Sequence, residues 1–164
     1  MILGMTTFTF VHVLLSLIGI LSGFVMVFGF FASKRLDVWN AVFLGTTALT
    51  SVTGFFFPIH GVTPGLVLGV MSLVVLAIAI PARYSFHLAG GWRRTYVITA
   101  VIAFYFNFFV LIVQLFERVP ALRELAPTKS EPPFKIAQAL ALVVFVAFGI
   151  VASIRFRTET PHAA

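Results

Sequence analysis

Two histidines and three side-chain amides hold most of the chemistry in an otherwise inert chain: His12, His60, Asn107, Gln114 and Gln138. Two neutral imidazoles can ligate a haem iron axially, and an imidazole with amide donors can hold a quinone head group by its carbonyl oxygens. Polar groups in apolar surroundings must find a partner or cost free energy, so these positions are where a binding site is expected. Each has a plainer reading beside it. A histidine in a membrane helix is commonly a hydrogen-bonded packing residue. His60, in "GFFFPIHGVTPG" (residues 54–65), sits between Pro58 and Gly61, where a solvated bend needs no ligand.

Other chemistries lack their groups. The chain has no cysteine, which removes disulfides, thiolate catalysis, Cys-ligated zinc and Cys-held iron–sulfur clusters. There is no GxSxG, no phosphate-binding glycine loop, no HExxH or HxxxH spacing and no pair of carboxylates placed for acid–base work. An enzyme with its own active centre is therefore not expected, and no metal site is assigned beyond His12 and His60 in the haem case. His87 falls in a loop on the opposite side and His162 in the tail, so neither joins the others.

The elements that must position these residues are membrane helices. Hydrophobic residues make up 60% of the chain and charged ones 10%, phenylalanine occurs 20 times, and the mean hydropathy is +1.10. Such a composition needs an apolar solvent outside as well as a packed interior. A hydrocarbon core about 30 Å thick takes roughly 20 apolar helical residues. Five runs fit, at about residues 8–32, 41–57, 64–81, 96–116 and 136–154, none with a charge in its middle. The first run has no basic residue before it, is long for a signal peptide and shows no clear cleavage site, so it is read as a span. The expected fold is an all-α integral membrane protein: one bundle of five transmembrane helices over residues 1–157 and a short cytoplasmic tail, 158–164.

Helix punctuation agrees with these limits. Asn40 is expected to cap the second helix, Thr63 and Pro64 form an N-cap and first-turn pair, and Pro132 and Pro133 precede the fifth run. The formal charge of +6 does not indicate nucleic acid, because no Lys/Arg run exceeds two residues and the basic residues lie between the apolar runs. With five crossings, one side receives Lys34, Arg35, Arg83, Arg93, Arg94, Arg155 and Arg157, and the other Arg118, Arg123, Lys129 and Lys135. The richer side is expected to be cytoplasmic, with the N-terminus outside. Trp39, Tyr84, Trp92 and Tyr96 fall at that same boundary, where amphipathic rings favour the headgroup layer. Size and charge bias suggest a bacterial-type inner (plasma) membrane. The loop from Glu117 to Lys135 is then extracytoplasmic, a surface connector whose Leu122 and Leu125 lie on the membrane or cover the bundle.

Gly19 and Gly23, and Gly65 and Gly69, match the small-xxx-small spacing that lets two helix backbones approach in lipid, within one chain or between copies. Thr46, Thr50 and Thr53, with Thr47 and Ser51 beside them, make one polar stripe on the second helix, either a packing face or the wall of a hydrated or ligand-lined path. His12 shares a helical face with Ser16, Gly19 and Gly23 and so points into the bundle. Gln114 lies two turns from Asn107 on one face, and Gln138 lies one turn inside its own helix. Three helices thus carry a hydrogen-bonding side chain to one depth, below the turn holding His60, with Glu117 at the rim.

These features favour a membrane protein that binds an apolar or amphipathic ligand, a quinone, haem or lipid, near the extracytoplasmic face. The glycine faces and scarcity of chemistry suit instead an accessory or assembly subunit of a larger membrane complex, or a homo-oligomer. A small-solute transporter is a further alternative, although no helix carries an intramembrane carboxylate.

Overall fold

The computed structural model describes residues 4–157 except 59; the tail 158–164, with His162, lies outside the described residues. All regular structure among the described residues is helical: α1 (Thr7–Phe31), α2 (Asp37–Gly54), α3 (Pro64–Tyr84), α4 (Gly91–Arg118), α5 (Pro120–Leu125) and α6 (Pro132–Arg155). Four of these, α1, α3, α4 and α6, are long and apolar enough to cross a membrane, and the chain is an integral membrane protein. α2 is 18 residues long but carries Asp37, Asn40 and a run of threonines, and it is not among those four.

Local chemistry accounts for the helix starts. Thr6 Oγ1 accepts from the Thr9 amide at 3.2 Å and so caps α1, and Thr63 Oγ1 accepts from the Leu66 amide at 3.2 Å with Pro64 at the first position of α3. Asn40 is not the cap the sequence suggests. α2 begins three residues earlier at Asp37, behind Leu36 in a left-handed conformation at φ 41°. Asn40 instead turns its amide back, donating to the carbonyls of Arg35 at 2.8 Å and Leu36 at 3.0 Å. α4 starts at Gly91 rather than near Tyr96, and α3 runs to Tyr84, past Pro81. Apolar runs mark only the lipid-facing length of a helix, and the backbone ladder continues beyond it. Pro81 lacks its own N–H, yet its carbonyl still accepts from the amides of Ser85 and Phe86, each at 2.9 Å. The expected connector between α4 and α6 contains the short helix α5, with Leu125 exposed and Leu122 packed against the cluster that Ile112, Phe116, Ala126 and Ala141 form.

Pairs of residues set the arrangement. Phe8 packs at a tilt against Phe57, and Phe116 edge-to-face against Phe134, at one end; Arg93 bonds the Phe156 carbonyl, and Ser33 the Arg157 carbonyl, at the other. The first end therefore holds the starts of α1, α3 and α6 and the finishes of α2 and α4. α2 packs between α1 and α3, and α4 touches α1, α3 and α6. The core is aromatic. The Phe104 ring lies 4.9 Å from those of Phe24 and Phe145 and 6.0 Å from that of Phe43. A Cβ on Gly23 would stand 2.6 Å from the Phe104 ring, so the absent side chain is what lets α1 approach α4. Gly19 faces Thr46, Thr47 and Asn107, and both glycines thus serve contacts inside one chain. A Cβ on Gly69 would be in ordinary contact with Ser51 of α2 and with Phe55 just beyond it, while one on Gly65 would meet the Thr63 hydroxyl at 4.0 Å.

At the opposite end a polar knot ties the α1–α2 turn down. Tyr96 is fully buried, not laid at a lipid boundary, and donates its hydroxyl to Asn40 Oδ1. Its ring lies 5.1 Å from the Arg83 guanidinium, which bonds Asp37. Trp39, Tyr84 and Trp92 remain exposed.

Candidate functional site: a cleft among α1 to α4

A cleft of about 480 Å³ opens between the first half of α1, the last turns of α2, the first turns of α3 and the second half of α4. Its walls are apolar, with Leu17, Leu66, Phe106 and Val110 among them. Polar groups enter at a few points, among them His12, Ser16, Thr50, Asn107 and Gln114, with Arg118 where α4 ends. Ile20 and Phe106 are the innermost lining positions on α1 and α4; α4 runs from residue 106 to residue 118 along the cleft, about 18 Å at 1.5 Å per residue.

Three of the five candidate residues come together here. His12 Nδ1 is 2.8 Å from Thr53 Oγ1, whose own proton goes back to the Leu49 carbonyl at 2.7 Å. With the threonine proton on the Leu49 carbonyl the threonine oxygen accepts, which is the arrangement of the Nδ1–H tautomer; in the other tautomer the hydroxyl donates to Nδ1. The imidazole also meets the Phe57 ring edge-on at 4.9 Å between centroids. Asn107 donates one amide hydrogen to Thr47 Oγ1 at 2.9 Å, and Gln114 Oε1 accepts from Arg118 Nε at 2.9 Å.

The other two lie elsewhere. His60 is exposed in the α2–α3 connection and does not line the cleft, whereas its neighbours Phe57, Pro58 and Thr63 do. Gln138 is buried on α6, which contributes nothing to the cleft, and donates to the Phe109 carbonyl at 3.3 Å. The helical period places Gln138 one turn inside α6, but its azimuth is set by packing on α4. Depth alone does not bring it to the other amides. His12 and His60 therefore do not converge on one ligand position, and no group of three or more metal-ligating side chains occurs among the described residues.

Several lining residues stand out in the sequence only as a polar stripe, a helix cap or a helix-end charge. Thr50 and Ser51 belong to the α2 stripe; Ser51 returns its proton to the Thr47 carbonyl at 2.9 Å, while Thr50 Oγ1 is buried with no partner. Thr63 is the cap of α3, and Ser72 comes from within that helix, where nothing marks an isolated serine as different from a packing residue. Arg118 reads as a charge at a helix end. The signal available was its spacing of four from Gln114, which makes the two neighbours on one face.

A second groove of about 300 Å³ runs between α4 and α6, with Val101, Phe145 and Gly149 in its wall. Tyr105 and Ser153 are its polar side chains, and the serine hydroxyl bonds the Ile150 carbonyl at 2.9 Å, so the groove offers a ligand little to recognise.

Beside the cleft mouth, the connection from α4 to α6 is tied by two carboxylates. Glu117 pairs with Lys129 at 2.6 Å. Glu131 accepts from the Thr128 hydroxyl at 2.7 Å and from the amides of Thr128 and Ser130 at 3.2 and 3.0 Å. The Thr128 hydroxyl, helped by those amides, holds the Glu131 carboxyl below its ordinary range.

Comparison with protein-family models, with curated proteins and with solved structures finds no match to this chain.

Proposed function

We propose that this protein binds an amphipathic molecule in the α1–α4 cleft, within an inner (plasma) membrane that it crosses five times with its N-terminus outside. The observation that carries the reading is the cleft itself: about 480 Å³, apolar walls and a few convergent hydrogen-bonding groups. That size and lining are what small-molecule sites have. His12 is the one imidazole there among the described residues, so a quinone or lipid head group suits the cleft better than a haem held by His12 and His60.

The five-crossing topology rests on α2. Its 18 residues extend about 27 Å at 1.5 Å per residue, close to the hydrocarbon thickness of about 30 Å. Its polar groups are matched by neighbours: Thr53 by His12, Thr47 by Asn107, Asn40 by Tyr96. A polar helix enclosed by partners in this way is tolerated in lipid where a bare one is not. Orientation rests on the seven basic residues at one end against four at the other. The cleft then opens outward.

The test is organic extraction and mass analysis of the detergent-purified protein, preceded by absorption spectra of the oxidised and reduced forms. The expected result is one stoichiometric amphiphile, lost in Val110→Trp, which fills the cleft from α4. A native protein that carries nothing, and whose Val110→Trp variant behaves identically, returns the polar groups to helix packing and favours an accessory subunit.

A further inference from the structure

Among the described residues Arg118 is the one charged residue in the lining of the cleft, and it stands at the mouth. Its neighbours do not neutralise it. Glu117 is paired with Lys129, Glu131 is engaged by Thr128 and Ser130, and no carboxylate among the described residues lies within ion-pair distance of Arg118. A guanidinium carries five N–H donors in a rigid fork that matches carboxylate and phosphate oxygens. The bond from Nε to Gln114 occupies one of them and ties the side chain to the cleft wall one turn back. A cation in a last turn also complements the helix dipole. That role alone asks neither for a place in the cleft lining nor for a partner inside it.

Resting on the reading of the cleft as an amphiphile site, the geometry points to a ligand with an acidic head group. A carboxylate or phosphate sits against Arg118 at the mouth, and the apolar body lies along the wall past Val110 toward Phe106 and Ile20. Gln114 is the positioning residue, since it holds the guanidinium on the cleft side of α4. A cationic amphiphile meets an uncompensated positive charge at the entrance and is rejected.

The experiment uses the full chain in nanodiscs of phosphatidylcholine alone, with dodecanoic acid bearing a diazirine near its chain end, and the methyl ester of the same probe. After irradiation the labelled residues are mapped by mass spectrometry. The acid is expected to label cleft-wall positions such as Leu17, Leu66 and Val110, and the ester about tenfold less, the factor that a charge-assisted hydrogen bond supports. Arg118→Gln is expected to weaken labelling by the acid about tenfold and leave labelling by the ester unchanged, which also shows that the variant is folded. Dodecyl phosphate competes and inorganic phosphate does not. Equal labelling by acid and ester with no effect of Arg118→Gln overturns the acidic head group and leaves the amphiphile site standing. No labelling of the cleft by either probe removes both. Displacement of the acid by inorganic phosphate makes the mouth a small-anion site and overturns the inference.

Discussion

The guanidinium of Arg83 on α3 donates to the carboxylate of Asp37 on α2, and the two differ in their surroundings: the arginine side chain is 2% exposed and the aspartate 66%. A buried cation is thus compensated from the protein surface. Its Nη1 has no hydrogen-bond partner, and the ring of Tyr96 faces it at 5.1 Å. Removing one member of such a pair leaves an unpaired buried charge, whereas removing both does not. Asp37→Ala should cost about 1–3 kcal/mol and lower the melting temperature in detergent. Adding Arg83→Met should recover part of that loss. A double variant less stable than Asp37→Ala would show that Arg83 contributes by packing rather than as a compensated charge.

The contact between α1 and α4 is set by an absent side chain. Gly23→Ala places a methyl group 2.6 Å from the buried Phe104 ring, which is itself wedged between Phe24 and Phe145. The expected cost is about 1–3 kcal/mol of overpacking. Gly45→Ala on α2 meets nothing within 4 Å and should leave stability unchanged or raise it by about 0.4–1 kcal/mol. Paired thermal melts read the contrast, and equal shifts for the two variants would remove Gly23 as the determinant of this contact.

Protonation of Glu131 should loosen the turn before α6. Its carboxyl is depressed in the folded state by the Thr128 hydroxyl and the nearby amides. The sign follows: the stabilisation is present above the ordinary carboxylate range and is lost as pH falls through the lower, folded value. Amide hydrogen exchange at Thr128 and Ser130, corrected for its intrinsic pH dependence, should accelerate at acid pH in the native protein. In Glu131→Gln the protection should be low and independent of pH. Protection that is the same at neutral and acid pH in the native chain would mean that the ionised carboxylate does not hold the turn.

Topology is accessible to labelling in intact cells. A cysteine replacing Thr128 should react with a membrane-impermeant maleimide, and one replacing Trp92 should react only after permeabilisation. The cysteine-free background makes each signal unambiguous. The reverse pattern would turn the cleft mouth toward the cytoplasm.

The α2 helix illustrates how far residue pattern alone reaches. Composition shows an apolar run near residues 41–57, yet the helix is Asp37–Gly54. The discrepancy lies at the ends, where Asp37 finds Arg83 and Asn40 finds Tyr96. Neither partner is near in sequence. His12 was legible as inward-facing from its row of small residues, and the Asn107–Gln114 face from its spacing. Gln138 and His60 share the expected level with them and lie outside the cleft, because periodicity gives depth but not azimuth.

What the sequence determined by itself is whatever depends on local chemistry and transfer to lipid: an all-helical membrane chain, the limits of α1 and the start of α3 with its Thr63 cap and first-turn Pro64, and the lack of any cysteine. Tertiary structure decided which side chains meet. The buried Arg83, the approach across Gly23 and the cleft among α1 to α4 arise from residues tens of positions apart. An apolar face can pack at many rotations with similar burial, and only the joint fit of several helices selects one.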